Sequence, residues 1–319
     1  MRTVLGIGIV VVACAAILLG ILFLAPDRAG KSLNQTPTPA ARAVPPQAPD
    51  TVDSELTERL KTLSNGAGGT VGVAVTHVES GRTVVIQGTT KLPLYSVFKL
   101  PLAIAVLKEV EENRLQLDTK VHVTPADVLP GWRGNTDLWG RPVDRTVAEL
   151  LELSLVLSDN TSSDKLLQLV GGPAVVTERM RTMGLLDIEI RSTVREFVAN
   201  RDRPNLGSPS DFARLLTRLQ KGEILQAPQR KLLLGWMEKS TTGLQRLRGE
   251  LPAGTRVADK TGTGEDGSTT NDVGLITLPE GRGHLAMAVL VSGARLTAEE
   301  QEKLIARLAR AAYDAYSSR

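Results

Sequence analysis

Strand-like runs stand at both ends of the foldable part of this chain, and helix-like runs fill the middle. Thr70–His77 and Thr83–Gln87 come early. Glu79-Ser80-Gly81-Arg82 joins them, a small polar turn between β-branched runs that signals a hairpin. Asp272–Leu278 and His284–Ser292 come late. A lone hairpin is marginal in water, so the two ends are expected to meet in one sheet, and whatever lies between them becomes an insertion. The expected class is α/β (α+β): an antiparallel sheet flanked by helices, with an inserted all-helical lobe.

The helical runs follow from spacing and caps. Glu55–Leu63 carries Leu56, Leu60 and Leu63 on one face. Ser96–Asn113 opens with Val97, Phe98, Leu100, Leu102, Ala103, Ile104 and Val106, apolar nearly all round, so it should be buried. Pro101 sits early in it, where a missing N–H costs least. Thr146-Val-Ala-Glu149 is a capping box that opens a helix through Leu157. Further helices are expected from Thr161 to Val170, stopped by Gly171-Gly172-Pro173, from Ser210 to Lys221, and from Gln229 to Lys239. Thr297-x-x-Glu300 caps a last one, with Leu304, Ile305 and Leu308 on one face.

Residues 1–25 read as a signal peptide or an N-terminal membrane anchor. Arg2 precedes an uncharged, mostly apolar run, Thr3–Leu24, long enough to span a bilayer. Lipidation at Cys14 is a third reading, and all three place the remainder outside the cytoplasm, in the periplasm or at the cell surface. Residues 26–50, with Pro37, Pro39, Pro45, Pro46 and Pro49, form an extended linker. The folded domain is expected over 51–319. Cys14 is the only cysteine, so that domain has no disulfide and no thiolate metal ligand. His77, His122 and His284 lie too far apart in the chain to form a ligand pair, which argues against a zinc hydrolase. A net charge of +3 without a basic, aromatic-interleaved patch gives no reason to expect nucleic acid as a partner.

Ser96-Val-Phe-Lys99 is an S-x-x-K motif. Lys99, one turn after Ser96, shares its helix face, and burial of a lysine lowers its pKa. Those are conditions for activating a serine. A second match, Ser162-Ser-Asp-Lys165, reads as a solvated helix face. Ser158-Asp159-Asn160 falls between two helices, and Lys260-Thr261-Gly262 precedes the closing strand pair. Together with S-x-x-K, in this order, they make the signature of class A β-lactamases and penicillin-binding proteins.

Residues 68–315 thus resemble a class A serine β-lactamase. Leu94-Tyr-Ser-Val-Phe-Lys-Leu, Leu157-Ser-Asp-Asn-Thr, Trp236-Met, Ala258-Asp-Lys-Thr-Gly-Thr-Gly and Asn271-Asp272 carry the likeness. The resemblance implies that Ser96 is the acylated nucleophile, Ser158 relays protons, Asn160 binds the substrate amide, and Lys260 and Thr261 hold its carboxylate. It implies an oxyanion hole from the N–H groups of Ser96 and Thr263. It further implies that Glu196, with Asn200 four residues on and Arg191 five before, activates the deacylating water on an Ω-loop. Either Lys99 or Glu196 would be the acylation base. Arg246 would replace the carboxylate-binding arginine whose usual place is taken by Thr270, and Trp132 would wall the cleft mouth. The implied partner is a small β-lactam; no metal or cofactor is required, and a monomer is expected.

The chain departs from the family at Val194, where many relatives have an arginine, and in an Ω-loop a few residues shorter. Those departures put the anchoring of Glu196 in question. Two rivals share the motifs. A D-Ala-D-Ala peptidase lacks the Ω-loop glutamate, and a membrane-tethered penicillin sensor acylates once and stays acylated.

Overall fold

The computed structural model describes residues 51–129 and 136–318. The leader, the linker and Trp132 therefore lie outside the described residues. Helix α1 (Thr51–Ser64) leads to the hairpin β1 (Thr70–His77) and β2 (Thr83–Ile86). A short β3 (Leu92–Pro93) enters a 3-10 turn over Tyr95–Phe98, which continues into α2 (Lys99–Glu111). Then come β4 (Lys120–Val123), the one-turn α3 (Thr136–Trp139) and β5 (Val143–Thr146). Helices α4 (Val147–Val156), α5 (Asn160–Leu169) and α6 (Pro173–Thr182) follow. The Ω-segment carries α7 (Val194–Ala199) and β6 (Leu206–Gly207). Helices α8 (Pro209–Gln220) and α9 (Ala227–Glu238) lead to β7 (Val257–Thr263), β8 (Thr270–Thr277), β9 (His284–Ser292) and α10 (Ala298–Ser317).

The main sheet has the order β2-β1-β9-β8-β7 and is antiparallel throughout. The two ends of the domain do meet: β1 pairs with β9, Thr70 opposite Ser292 and His77 opposite Leu285. Alternation along β9 divides the core. Leu285, Met287, Val289 and Val291 pack with Leu56 and Leu60 of α1 and with Ile305 and Leu308 of α10. Ala286, Ala288 and Leu290 face the helical side, with α2, α4, α5 and α8. Small residues on that second face let a helix lie close. Gly72 of β1 shows how close, since a Cβ there would stand 2.7 Å from Pro209 Cγ at the start of α8.

Several expectations need adjusting. The expected helix over Ser96–Asn113 is a 3-10 turn followed by α2, because Tyr95 takes a left-handed φ of 46° and Ser96 lies in the tight turn, not at the helix cap. Strand β7, which carries Lys260, is absent from the sequence reading. Its Asp259 and Lys260 are fully buried charges, so they break the apolar alternation by which a strand is recognised. The Thr146 and Thr297 capping boxes form as read, each threonine accepting from the N–H of its glutamate.

The second S-x-x-K is not a solvated face. Ser162 and Ser163 are fully buried. The N–H and Oγ of Ser162 both donate to Asp159 Oδ1 at 2.6 Å, completing the N-cap of α5. Ser163 Oγ donates to Asp159 O. Lys165 turns away and pairs with Asp127 at 2.7 Å. This serine therefore has a structural task. Ser162→Ala should leave Ser96 chemistry in place but lower the urea midpoint, by an amount equivalent to about 1.5–3 kcal/mol for a lost bond to a carboxylate. Loss of penicillin labelling in a folded Ser162→Ala protein would contradict that assignment.

Candidate active site

Ser96 sits half-buried in the Tyr95–Phe98 turn, where two cavities meet. Three contacts fix that turn. Leu94 N donates to Asn205 O at 2.8 Å, and Val97 N donates to Leu94 O at 3.1 Å. Asn271 of β8, fully buried, donates from Nδ2 to Pro93 O and Leu94 O, while its Oδ1 accepts from Val291 N of β9. One amide side chain thus ties the turn that carries Ser96 to the centre of the sheet. Gly262 brings β7 against the same turn: a Cβ there would lie 2.3 Å from Leu94 O and 3.2 Å from Val97 N. The glycine of the third motif is a requirement of close approach.

Lys99 is fully buried at the start of α2. Its Nζ donates to Ser158 O at 2.6 Å, to Asn160 Oδ1 at 2.8 Å and to Ser158 Oγ at 3.2 Å. Burial pushes its amine well below the usual lysine range, and the charge of Lys260 pushes the same way, against Asp159 and Asp164. Ser158 lies between α4 and α5 with φ 58°, a left-handed conformation that ends the first helix and is unusual for a residue with a Cβ. Its Oγ also accepts from Lys260 Nζ at 3.1 Å. Ser158 therefore bridges two lysine side chains, one from each side of the cleft. Two non-glycine residues in left-handed geometry, Tyr95 and Ser158, flank Ser96, a placement typical of backbone strain held at a functional site.

Lys260, fully buried in β7, is held at about 8. Burial lowers it, Arg246 adds to the lowering, and Asp259 and Asp272 oppose. Thr261 Oγ1 lies 2.6 Å from Thr242 Oγ1. Arg246 is buried and lines the same cavity. It donates from Nη1 to Gly262 O and Asn271 O, from Nη2 to Thr263 Oγ1 at 2.7 Å, and from Nε to Glu302 Oε1 at 3.0 Å. Arg246 is thus no surface charge. It braces the end of β7 and leaves one Nη2 proton for a ligand among the described residues. Behind β7, Asp259 accepts from Arg248 Nε at 2.8 Å. Burial, reinforced by Asp259, pushes Asp272 well above the carboxylate range.

The cleft has two unequal halves that share Ser96, Asn160, Thr263 and Glu265. One, about 950 Å³, holds Ser158, Thr261 and Arg246. The other, about 600 Å³, lies under the Ω-segment and is lined by Tyr95, Phe98, Val194, Phe197, Val198 and Pro204 among others. Glu196 and Asn200 line neither half. Both are exposed, Glu196 Oε2 accepting from Thr193 N at 2.8 Å in a capping box and Asn200 Oδ1 accepting from Asp202 N at 3.0 Å. Glu196 lies on the solvent side of α7, Asn200 follows the helix as its C-cap with extended backbone, and Phe197 takes the inward place. The structure brings together Ser96, Lys99, Ser158, Asn160, Lys260, Thr261, Thr263 and Arg246; it does not bring Glu196 and Asn200 to them.

The missing arginine at Val194 has a replacement. Asp164 of α5, buried, accepts from Val194 N at 2.7 Å and Arg195 N at 3.0 Å, and so pins the start of α7 through the backbone. Asn205 Oδ1 accepts from the N–H groups of Arg191 and Ser192 and ties the two ends of the segment together. Asp164, Asn205 and Asn271 are structural parts of the site that sequence reasoning missed. Each acts through backbone groups, which a motif of side-chain types does not record.

Comparison with known proteins agrees with this geometry. The model of the Beta-lactamase enzyme family matches residues 55–316. The extended-spectrum β-lactamase PER-1 of Pseudomonas aeruginosa is 36% identical over 81% of this chain and 86% of its own length. The carbapenem-hydrolyzing β-lactamase KPC of Klebsiella oxytoca is 33% identical over 81% of this chain and 88% of its own. Among solved structures, a β-lactamase from Chitinophaga pinensis superposes with a TM-score of 0.77 at 36% identity, covering 83% of this chain and 99% of that one. The TLA-1 extended-spectrum β-lactamase gives 0.78 at 33% identity, covering 82% and 98%. Motif order, the buried Lys99–Ser158–Lys260 bridge and these likenesses converge: the chain belongs to the β-lactamase enzyme family, among its class A serine enzymes.

Proposed function

We propose that this protein hydrolyses the amide of β-lactam rings through an acyl-enzyme at Ser96. The observation that carries the proposal is the Lys99 amine, fully buried one turn after Ser96 and fixed on Ser158 and Asn160. Burial favours the neutral form of that amine, and in that form it accepts the Ser96 proton as Oγ attacks the lactam carbonyl. Ser158 then passes a proton to the ring nitrogen as the C–N bond breaks. Asn160 holds the substrate amide. Lys260, Thr261 and the remaining Arg246 donor hold its carboxylate, and the N–H groups of Ser96 and Thr263 stabilise the oxyanion.

In the second half-reaction water adds to the ester, Glu196 takes its proton, and Ser96 is regenerated. Asn200 helps to hold that water. This role requires the Ω-segment to turn Glu196 inward from its capping position. A second reading, acylation without efficient release as in a penicillin sensor or a D-Ala-D-Ala peptidase, is favoured by one observation, the outward Glu196 carboxylate. We take the catalytic domain, from residue 51, to be monomeric and to work outside the cytoplasm, periplasmic or at the cell surface. Residues 1–25 would then act as export signal or anchor and 26–50 as a linker. The apolar run Thr3–Leu24 supports this reading. No described helix is long and apolar enough to cross a membrane.

Glu196→Gln keeps size and removes the base, so intact-mass analysis after mixing with benzylpenicillin should show adduct on Ser96, with steady-state turnover reduced about 10²–10⁴-fold. Ser96→Ala should show no adduct at all. Wild-type turnover in Glu196→Gln would assign the base elsewhere, and a long-lived adduct on the unmodified protein would favour the second reading.

The pH dependence tests the two lysines. Lys99 must be neutral to act, so kcat/KM falls on the acid side as that amine takes a proton. Lys260 must be charged to hold a carboxylate, so kcat/KM also falls as pH rises through about 8. Lys260→Arg keeps its charge throughout this range. It should move the alkaline limb upward by at least about one unit of pH, whatever its effect on the maximum. An unmoved limb would mean that Lys260 does not govern it.

A further inference from the structure

Two carboxylates are buried in the β7–β8 pair, and the catalytic steps above use neither. Asp259 of β7 and Asp272 of β8 are fully buried. The register sets Asp259 opposite Gly274 and Thr261 opposite Asp272, so the two carboxylates are diagonal neighbours on one face of the sheet. That face also carries Val257 and Ile276, which pack with α10. Gly274 leaves Asp259 its room, since a Cβ there would stand 2.9 Å from Asp259 Cβ. Lys260, opposite Val273, belongs to the other face.

Half of each carboxylate has a partner. Asp259 Oδ1 accepts from Arg248 Nε at 2.8 Å and from Arg248 Nη2. Asp272 Oδ2 accepts from Leu247 N at 3.1 Å. The other two oxygens, Asp259 Oδ2 and Asp272 Oδ1, are buried and meet no donor among the described residues. An ionised carboxylate only accepts, so two ionised groups cannot satisfy each other. One proton between them makes one free oxygen a donor to the other.

The surrounding charges say which group carries that proton. Arg248 holds Asp259 as an anion, whereas Asp272 forms no ion pair among the described residues. Burial raises both carboxyls. Arg248 draws Asp259 back down, while the Asp259 charge raises Asp272 further, against Arg246 and Arg248. Arg246 is already paired with Glu302 of α10. Lys260 has no ion pair among the described residues. Asp259 and Asp272 favour its charge, and Arg246 opposes it, as does the like charge that Lys99 would carry if protonated. A second negative charge, on Asp272, would offset Lys260 and repel an incoming carboxylate.

We propose that Asp259 and Asp272 share one proton, resident on Asp272 Oδ1 and donated to Asp259 Oδ2, so that the pair carries a single negative charge and the charge of Lys260 stays available to a substrate carboxylate. The proton is taken from solvent as the strands are buried. The consequence for Lys260 rests on its proposed role in recognition; the shared proton does not.

Asp272→Asn is the discriminating variant. Its side chain has the shape of the protonated acid, with Nδ2 able to donate to Asp259 Oδ2 and Oδ1 able to accept from Leu247 N. Above the ordinary carboxylate range the unmodified chain must take up a proton to fold, and the variant need not. The urea midpoint should therefore shift in favour of Asp272→Asn as pH rises from about 5 to about 8. Asp272→Leu, which has no donor, should have a lower midpoint than Asp272→Asn throughout. The infrared spectrum of the unmodified protein at neutral pH should show the C=O stretch of a protonated carboxylic acid, and Asp272→Asn should lack it. In β-lactam turnover the alkaline limb of kcat/KM should stay at about pH 8 in Asp272→Asn, because the charge of the pair is the same. No acid band in the unmodified protein, or a midpoint difference that does not vary with pH, would overturn the shared proton. A limb displaced to lower pH in Asp272→Asn would mean that Asp272 is charged in the native protein, and would overturn it too. Absence of β-lactam turnover would instead strike the proposed function, and the infrared and urea measurements would still decide the proton.

Discussion

A lysine amine held out of water is the constraint around which this domain is arranged. Lys99 enters the core at the head of α2, and its three acceptors all come from Ser158 and Asn160, at the junction of α4 and α5. Leaving such a group unpartnered would cost several kcal/mol, so the helical lobe must deliver Ser158 and Asn160 to within hydrogen-bond distance. The left-handed backbone at Ser158 is the local consequence. The capping of α5 by Asp159, with Ser162 and Ser163 bonded to it, keeps that turn in place. Stability of the α4–α5 junction and the placement of the Lys99 amine are thus one feature.

The sheet supplies the opposite wall. Its β7 edge would be free to stand off from the nucleophile were it not for two residues, Gly262, which has no Cβ to obstruct the approach, and Asn271, which grips the carbonyls ahead of Ser96. Arg246 then braces the end of β7 from behind, through Gly262, Asn271 and Thr263, with Glu302 of α10 as its counter-ion. The buried guanidinium comes from the segment between α9 and β7 and holds that end of the sheet together. Replacing it would leave several carbonyl groups without donors, so its loss would affect more than substrate affinity.

The Ω-segment follows a different logic. With the arginine gone at Val194, its anchorage is a buried carboxylate, Asp164, accepting two backbone N–H groups, with the Asn205 side-chain carbonyl doing the same at the other end. Backbone anchors fix where the segment starts and ends but leave the rotation of α7 to side-chain preferences. Thr193 and Glu196 make a capping box, which draws the glutamate to the solvent side and turns Phe197 inward against Tyr95. Helix α7 is thereby also one wall of the smaller half of the cleft.

Much of this was legible in the amino-acid order. The strand pairs at both ends, the caps at Thr146 and Thr297, and the three motifs depend on local periodicity and residue type, which a sequence states directly. The meeting of Ser96, Lys99, Ser158 and Lys260 could be inferred from the motifs, whose residue types and order the sequence states. Strand β7 could not, since its buried Asp259 and Lys260 look like surface until their partners are known. Nor could the burial of Ser162, whose polar neighbours in the chain turn out to be its hydrogen-bond partners in the core. The direction of Glu196 was beyond reach for a further reason. Spacing states that Glu196 and Asn200 stand four residues apart, but where each side chain points depends on a local cap, on where α7 ends and on contacts across the cleft, and only the tertiary structure decides it.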